Sequence, residues 1–311
     1  MKPLNTHLAE YLELRRKLGF KLHQAGGLLR RFVAFAKEKR ASFITTKLAL
    51  QWATQPADCH PSQWANRLGM VRRFARYVSG SDPRTEIAPP ELLPHRYHRK
   101  PPYLYSDQEV RRLLQTAGQL PAPGDLRALS HATLFGLLAV TGMRVGEAIG
   151  LDRKDVDLHQ GLLTVRQAKF NKSRLVPIHR STQKKLRAYE RLRDRIVPHP
   201  QSPSFFLSEG GNRLTDQTVR RWFIIASRKV GLRTLTDRRG PRLHDLRHRF
   251  AYKTLVRWYR RGVDVEAHLP ELTTYLGHGH VADTYWYISA TPELLKLATQ
   301  RLERRKGGLF V

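Results

Sequence analysis

The sequence of 311 residues holds one cysteine, Cys59. A single thiol excludes an internal disulfide framework and any zinc site built from cysteines. It suits a reducing cytosol. Acidic residues are also few, 26 Asp and Glu against 56 Lys and Arg. No stretch of about 18 apolar residues occurs, so no membrane-spanning helix is expected. The opening MKPLNTHLAEYLELRRK has no apolar core of the kind a secretory signal needs. The phosphate-cradling pattern Gly-x-x-x-x-Gly-Lys-Ser/Thr is absent. So are internal repeats and low-complexity blocks.

What is there is strongly basic. The formal net charge is +30 and the pI is near 11.0. Such an excess repels itself unless a polyanion is present, and it is the electrostatic footprint of a nucleic-acid binder. The charge is spread along the chain. Residues 1–100 carry 19 Lys and Arg against 7 Asp and Glu, and the remainder 37 against 19. Both parts are therefore expected to touch phosphate. A membrane surface explains this less well, because the charge is not confined to one amphipathic helix. An apolar share of 41% is enough to build real cores, and the length suits about two domains.

The first third reads as helices. Leu4, Leu8, Tyr11, Leu12 and Leu18 fall near helical spacing, as do Leu28, Leu29, Phe32, Val33 and Phe35. A further helix over Ser62–Val78 places Trp64, Leu68, Val71, Phe74 and Val78 on one face. Its other face is read as carrying Arg67, Arg72, Arg73 and Arg76, the expected DNA contacts. Residues 88–102, APPELLPHRYHRKPP, then hold five prolines, which break helices and stiffen linkers. The domain boundary is placed here: a helical domain over 1–88, a linker over 89–102 and a second domain over 103–311. Ser106-Asp107-Gln108-Glu109 has a capping-box pattern that opens the second domain. That domain reads as mainly helical with a small sheet. Leu129–Val140 is a strongly apolar, central helix. Leu162–Val165 and Leu175–Ile178 are β-like, with the polar turn AKFNKS between them. Helical patterns follow over about Leu214–Lys229, His244–Arg260 and Pro292–Arg304.

Three short motifs could carry chemistry. Thr141-Gly142-Met143-Arg144-Val145-Gly146-Glu147 ends one helix and starts another, setting Arg144 at a helix start. In His244-Asp245-Leu246-Arg247-His248, His244 and Arg247 share a helix face. Leu276-Gly277-His278 is followed by Tyr287, nine residues after the His. Each alone has an ordinary structural explanation; the tyrosine-rich run Tyr285-Trp286-Tyr287 alone looks like core.

Their order does not. An Arg box, a lysine in a β-turn, His-x-x-Arg, Gly-His and then Tyr resembles the tyrosine recombinase (phage integrase) family. TGMRVGEAIGL, HDLRH and LGH…Y are similar to its boxes, and AKFNKSRLVPI to its catalytic-lysine hairpin. The resemblance covers roughly residues 104–300; the basic, helical first third is similar to the family's core-binding domain. Carried over position by position, it implies Arg144, Lys169, His244, Arg247, His278 and Tyr287 as catalytic residues. Lys169 is preferred to Lys172 because it precedes the Phe170-Asn171 turn and lies eight residues before Pro177. Tyr287 is preferred to Tyr285 by its interval from His278.

The resemblance implies site-specific cutting and rejoining of double-stranded DNA by transesterification. The phenol attacks phosphorus, leaving a 3′-phosphotyrosine and a free 5′ hydroxyl. The covalent bond conserves the energy for rejoining, so no cofactor is expected. No metal is expected either. Arg144 and Arg247 would meet the charge that develops on the phosphate, since a guanidinium fork binds its oxygens bidentately. His278 would add a hydrogen bond. His244 is the expected general base and Lys169 the general acid. The family implies two domains clamping DNA, a homotetramer on two DNA sites, a Holliday junction intermediate and accessory recombination proteins. A cytoplasmic, nucleoid-associated protein of a mobile element is expected. The apolar stripe Leu294, Leu295, Leu297, Ala298 and Leu302 is expected to pack on a neighbouring subunit. The competing readings are a type IB topoisomerase-like enzyme and a non-catalytic DNA-binding regulator; charge alone would also suit an RNA-binding protein.

Overall fold

In a computed structural model the chain separates into two compact units, Met1–Lys100 and Pro101–Val311. The structure describes residues 2–20, 22–94, 101–120, 125–166, 173–237, 240–289 and 291–305.

The first unit contains helices α1 (Leu4–Lys17), α2 (His23–Glu38), α3 (Thr46–Thr54) and α4 (Pro61–Val78). Thr45 caps α3 by accepting the Leu48 N–H at 3.1 Å, and Pro61 starts α4 where no hydrogen bond is lost. Phe32, Trp52 and Phe74 fill the core between the helices, with Phe32 edge-on to Trp52 at 5.4 Å. The four arginines of α4 do not share one face. Arg67 and Arg76 lie nine residues apart, half a turn out of phase at ~3.6 residues per turn. Arg67 turns inward, 3.9 Å over the Trp52 ring, and donates to the Trp52 carbonyl at 2.6 Å. Arg72 donates to the carbonyls of Ala88 and Pro89 at 2.8 and 2.7 Å. Arg73 and Arg76 are exposed. Of the four arginines expected to face DNA, Arg67 and Arg72 thus also use donors to hold the unit's own backbone.

The second unit opens with α5 (Asp107–Ala117) and the expected capping box, in which Ser106 and Glu109 exchange hydrogen bonds. Helix α6 (Leu126–Thr141) follows, with Leu134 and Phe135 fully buried; it packs against neighbours on several sides and is the centre of this core. Then come α7 (Val145–Ile149), a 3-10 turn (Arg153–Asp155) and the strands β1 (Val156–Asp157), β2 (Leu162–Val165) and β3 (Arg174–Pro177). The strands form an antiparallel sheet in the order β1-β2-β3, with Val165 opposite Arg174. Strand β3 begins one residue earlier than its apolar run suggests. The turn between β2 and β3, with Lys169, lies outside the described residues.

Helices α8 (Arg180–Ile196), α9 (Asp216–Lys229), α10 (Asp245–Arg260), α11 (Val265–Leu276), α12 (Ala282–Ser289) and α13 (Pro292–Arg305) complete the unit. Helix α8 is masked in the sequence by its charge, and α11 by Pro270 within it. The apolar stripe of α13 divides. Leu294 is fully buried in a cluster with Leu255, Leu269, Leu276 and Tyr287, whereas Leu295 and Leu302 are exposed. Glu293 binds Tyr252 and Arg260 of α10. The stripe expected on a neighbouring subunit is thus used in part on its own chain. Among the described residues, no helix is long and apolar enough to cross a membrane.

Candidate active site

The site is built on the end of α11. A helix leaves its last four carbonyls without intrahelical partners. Here each carbonyl finds one. Gly277 turns left-handed, with φ of +67°, and closes a Schellman motif. His278 N–H reaches the Thr273 carbonyl, and Gly277 N–H the Thr274 carbonyl, both at 3.0 Å. Three arginines take the next three carbonyls. Arg174 Nε donates to Tyr275 at 2.9 Å, Arg247 Nη2 to Leu276 at 2.7 Å and Arg144 Nη2 to Gly277 at 2.9 Å. Cations at a helix C-terminus also gain from the helix dipole, by about 0.3–2 kcal/mol each. The left-handed φ favours glycine at 277, and a Cβ there, 2.6 Å from Arg174 Nη1, would displace that guanidinium.

Each arginine arrives from a different element. Helix α6 ends at Gly142, which is left-handed at φ of +63°; a Cβ there would meet the Phe250 ring at 2.7 Å. The Gly142 carbonyl accepts from Arg247 Nη1 at 2.8 Å. Two residues later Arg144 is the N-cap of α7. Its N–H and its Nη1 both donate to Glu147, at 2.9 and 2.8 Å. Arg174, on β3, clasps the same carboxylate bidentately at 3.1 and 2.7 Å. Burial would raise the Glu147 pKa, but Arg174 and Arg144 overcome it and hold the carboxyl at about 2. Glu147 is therefore an anion that fixes two guanidinium groups. Arg174 is 10% exposed and spends its fork on Glu147 and Tyr275. Arg144 is more open, at 28%. Arg247 is 2% exposed; burial, then Arg144, pulls its pKa down to about 10, so it stays charged at neutral pH.

Histidines ring the arginines. His244 caps α10, and its ring meets His248 edge-on at 4.8 Å. Desolvation of its packed side, followed by the Arg247 charge, lowers its pKa well below the ordinary 6.5, although the residue keeps an open face to solvent. It is neutral at pH 7 and able to take a proton. His278 follows the glycine cap and binds Thr284 Oγ1 through Nδ1 at 2.8 Å. The Tyr287 ring lies 6.0 Å from His278 and 5.4 Å from His248. Tyr287 is 4% exposed and Tyr285 is 49% exposed. Half a site of anion-binding groups thus faces one inward-turned phenol.

A family model described as the phage integrase family matches residues 103–293. The chain belongs to the phage integrase family. It is 50% identical over 309 residues to a protein of Sinorhizobium fredii named as an integrase/recombinase, with 98% of each chain covered. Two solved structures are similar in fold. One is the XerH site-specific recombinase bound to palindromic difH substrate, a post-cleavage complex. Its TM-score is 0.64 at 17% identity, over 90% of this chain and 78% of that one. The other is a lambda integrase tetramer bound to a Holliday junction, with a TM-score of 0.57 at 18% identity over 90% and 78%. The mainly helical fold with a small sheet is shared with both.

In this integrase-family chain the structure brings Arg144, His244, Arg247, His278 and Tyr287 together. Lys169 lies outside the described residues. Arg67, Arg72, Arg73 and Arg76 belong to the other unit. Glu147 and Arg174 lie within the sequence boxes, but neither has a role that the boxes imply. Glu147 had a readable signal, the spacing of three from Arg144 at a helix start. Arg174 had none, because its partner carboxylate is 27 residues away. Thr273 and Thr284, which connect to His278, were equally silent.

Proposed function

We propose that this tyrosine-type site-specific recombinase cuts duplex DNA with Tyr287, forming a 3′-phosphotyrosine, and rejoins it by the reverse transfer. The observation that carries the assignment is the contrast between two tyrosines on one helix. Tyr287 is turned inward beside Arg247, His248 and His278, while Tyr285 points to solvent. The phenol oxygen bonds to phosphorus and the P–O5′ bond breaks. His244, neutral at pH 7, accepts the phenolic proton. Lys169 gives a proton to the departing 5′ oxygen. Arg144 and Arg247 each have one N–H on Nη1 and one on Nη2 committed to the protein. A guanidinium carries five N–H groups, so each keeps N–H groups for the non-bridging oxygens of phosphate. His278 adds a donor to the same oxygens. Because the two guanidinium groups are held by carbonyls before DNA arrives, they need no reorganisation when charge develops.

A core-binding domain over 1–88 and a catalytic domain over 103–311 clamp DNA, joined by the Pro-rich segment 89–102. The lambda integrase tetramer bound to a Holliday junction supports a homotetramer on two DNA sites passing through such a junction; the chain would serve the integration of a mobile element in the cytoplasm, with accessory recombination proteins. The test is a nicked trapping substrate carrying the ends of the element, denatured after incubation. Tyr287→Phe should abolish the covalent protein–DNA adduct and leave DNA binding within about threefold, while Tyr285→Phe should keep the adduct. An adduct that survives Tyr287→Phe and vanishes in Tyr285→Phe would move the nucleophile. Relaxation of plasmids without site dependence would favour a topoisomerase, and tight binding with no adduct a regulator.

A further inference from the structure

A chain of three hydrogen bonds behind His278 decides where its proton sits. Thr273 Oγ1 lies 2.8 Å from the Leu269 carbonyl one turn back on α11. A carbonyl has no proton to give, so the Thr273 hydroxyl is the donor. Its single proton is then spent. Thr284 Oγ1 lies 2.9 Å from Thr273 Oγ1, so Thr284 must donate in that contact. Thr284 has then spent its proton too. Its remaining contact, 2.8 Å to His278 Nδ1, must be one in which Nδ1–H donates. Thr284 is fully buried and Thr273 nearly so, so bulk solvent does not compete for their hydroxyls. Neutral His278 is therefore the Nδ1–H tautomer, with its proton on Nδ1 and none on Nε2.

That consequence matters for the proposed site, on whose reading it rests. A neutral Nδ1–H imidazole presents a lone pair at Nε2, which repels a phosphate oxygen. We propose that Thr273 and Thr284 are positioning residues that lock the neutral proton of His278 on Nδ1. His278 then binds the scissile phosphate through Nε2 only as the doubly protonated imidazolium. The ring would bring a full positive charge to phosphorus instead of a neutral donor. At the same helix cap lie Arg144 and Arg174 with the Glu147 anion between them, and Arg247 of α10; Tyr287 of α12 meets the ring, with His248 of α10 behind it. The three cations disfavour a further proton in the free protein, and a bound phosphodiester favours it. DNA binding and protonation of His278 are thereby linked.

The test combines a direct readout with a kinetic one. Nitrogen NMR of histidine-labelled free protein at pH 8 reads the tautomer without any catalysis. The proton is expected on His278 Nδ1 in the wild type and in Thr284→Ser. In Thr284→Val, where the acceptor is gone, Nε2–H should become the main neutral form. On the trapping substrate, wild-type cleavage should fall about tenfold per pH unit above the pKa of bound His278. In Thr284→Val that loss should begin at least one pH unit higher, since the neutral ring can now donate. Thr284→Ser should restore the wild-type profile. Nε2–H in the wild-type protein would overturn the proposal, as would superimposable basic limbs for wild type and Thr284→Val. The NMR result stands even if the chain makes no adduct, so failure of the recombinase reading is separately visible.

Discussion

Both units of this protein lay arginines on their own backbone carbonyls, to different ends. In the first, Arg67 and Arg72 meet carbonyls of Trp52, Ala88 and Pro89 singly, each stitching one segment to the next. In the second, Arg144, Arg174 and Arg247 converge on three successive carbonyls at one helix end, with a carboxylate between two of them. The bond type is the same. What differs is convergence: like charges are gathered where a helix terminus and Glu147 offset part of their repulsion. Such a place has an unmet demand for an anion. An isolated arginine staple has none.

Breaking one member on each side should separate the two cases. Arg247→Ala should lower single-turnover cleavage by about a hundred- to a thousandfold. It should also cost stability, because the Gly142 and Leu276 carbonyls lose their partner. Arg67→Ala should lower stability by ~1–3 kcal/mol through the Trp52 carbonyl and the lost ring contact. Its cleavage rate per folded molecule should stay within about threefold. Thermal melts alongside trapping kinetics check both; equal loss of catalysis in the two variants would erase the distinction.

The converged charges should also appear in the pH dependence. His244 is held neutral, with a folded pKa below the 6.5 of the unfolded chain. Between those two values the unfolded chain binds the proton and the folded one refuses it. His244 therefore favours unfolding progressively as pH falls below 6.5. As the base, it should keep cleavage active below pH 6.5. An acid limb of the rate profile centred at or above 6.5 would remove His244 from that role. His244→Ala should abolish the limb.

The smallest effect belongs to α4. Arg73→Ala and Arg76→Ala, at exposed positions, should each reduce the slope of log affinity against log salt by about 1. Arg72→Ala, whose fork is bound to Ala88 and Pro89, should leave the slope unchanged in folded protein. A slope lost equally at all three would restore a single DNA-facing row.

Much of this was legible in the sequence. Helix α6, β2, most of β3, α9 and α10 follow from apolar periodicity, and the capping box of α5 from four residues. The catalytic candidates followed from the order of the boxes, and the two glycines that set the carbonyl geometry lie within them. The backbone bonds of Arg67 and Arg72 in α4 were not legible, because residue type was read without phase; Trp52, on another helix, decides where Arg67 points. Arg174, Thr273 and Thr284 were invisible because their significance is a contact. A threonine has no motif that announces which way its hydroxyl proton is spent. Leu294 illustrates the same limit, since a stripe cannot say whose surface it covers.

The most direct test of the arginine cradle replaces one non-bridging oxygen of the scissile phosphate with a methyl group. The neutral methylphosphonate needs less help from cations as charge develops. On ordinary DNA, Arg144→Ala should cleave at least about a hundredfold more slowly than wild type. On the methylphosphonate that deficit should shrink to within about tenfold, because the missing cation is no longer required. A deficit of equal size on both substrates would contradict the account: Arg144 would then be a structural staple like Arg67, and the charge at phosphorus would be met by other groups.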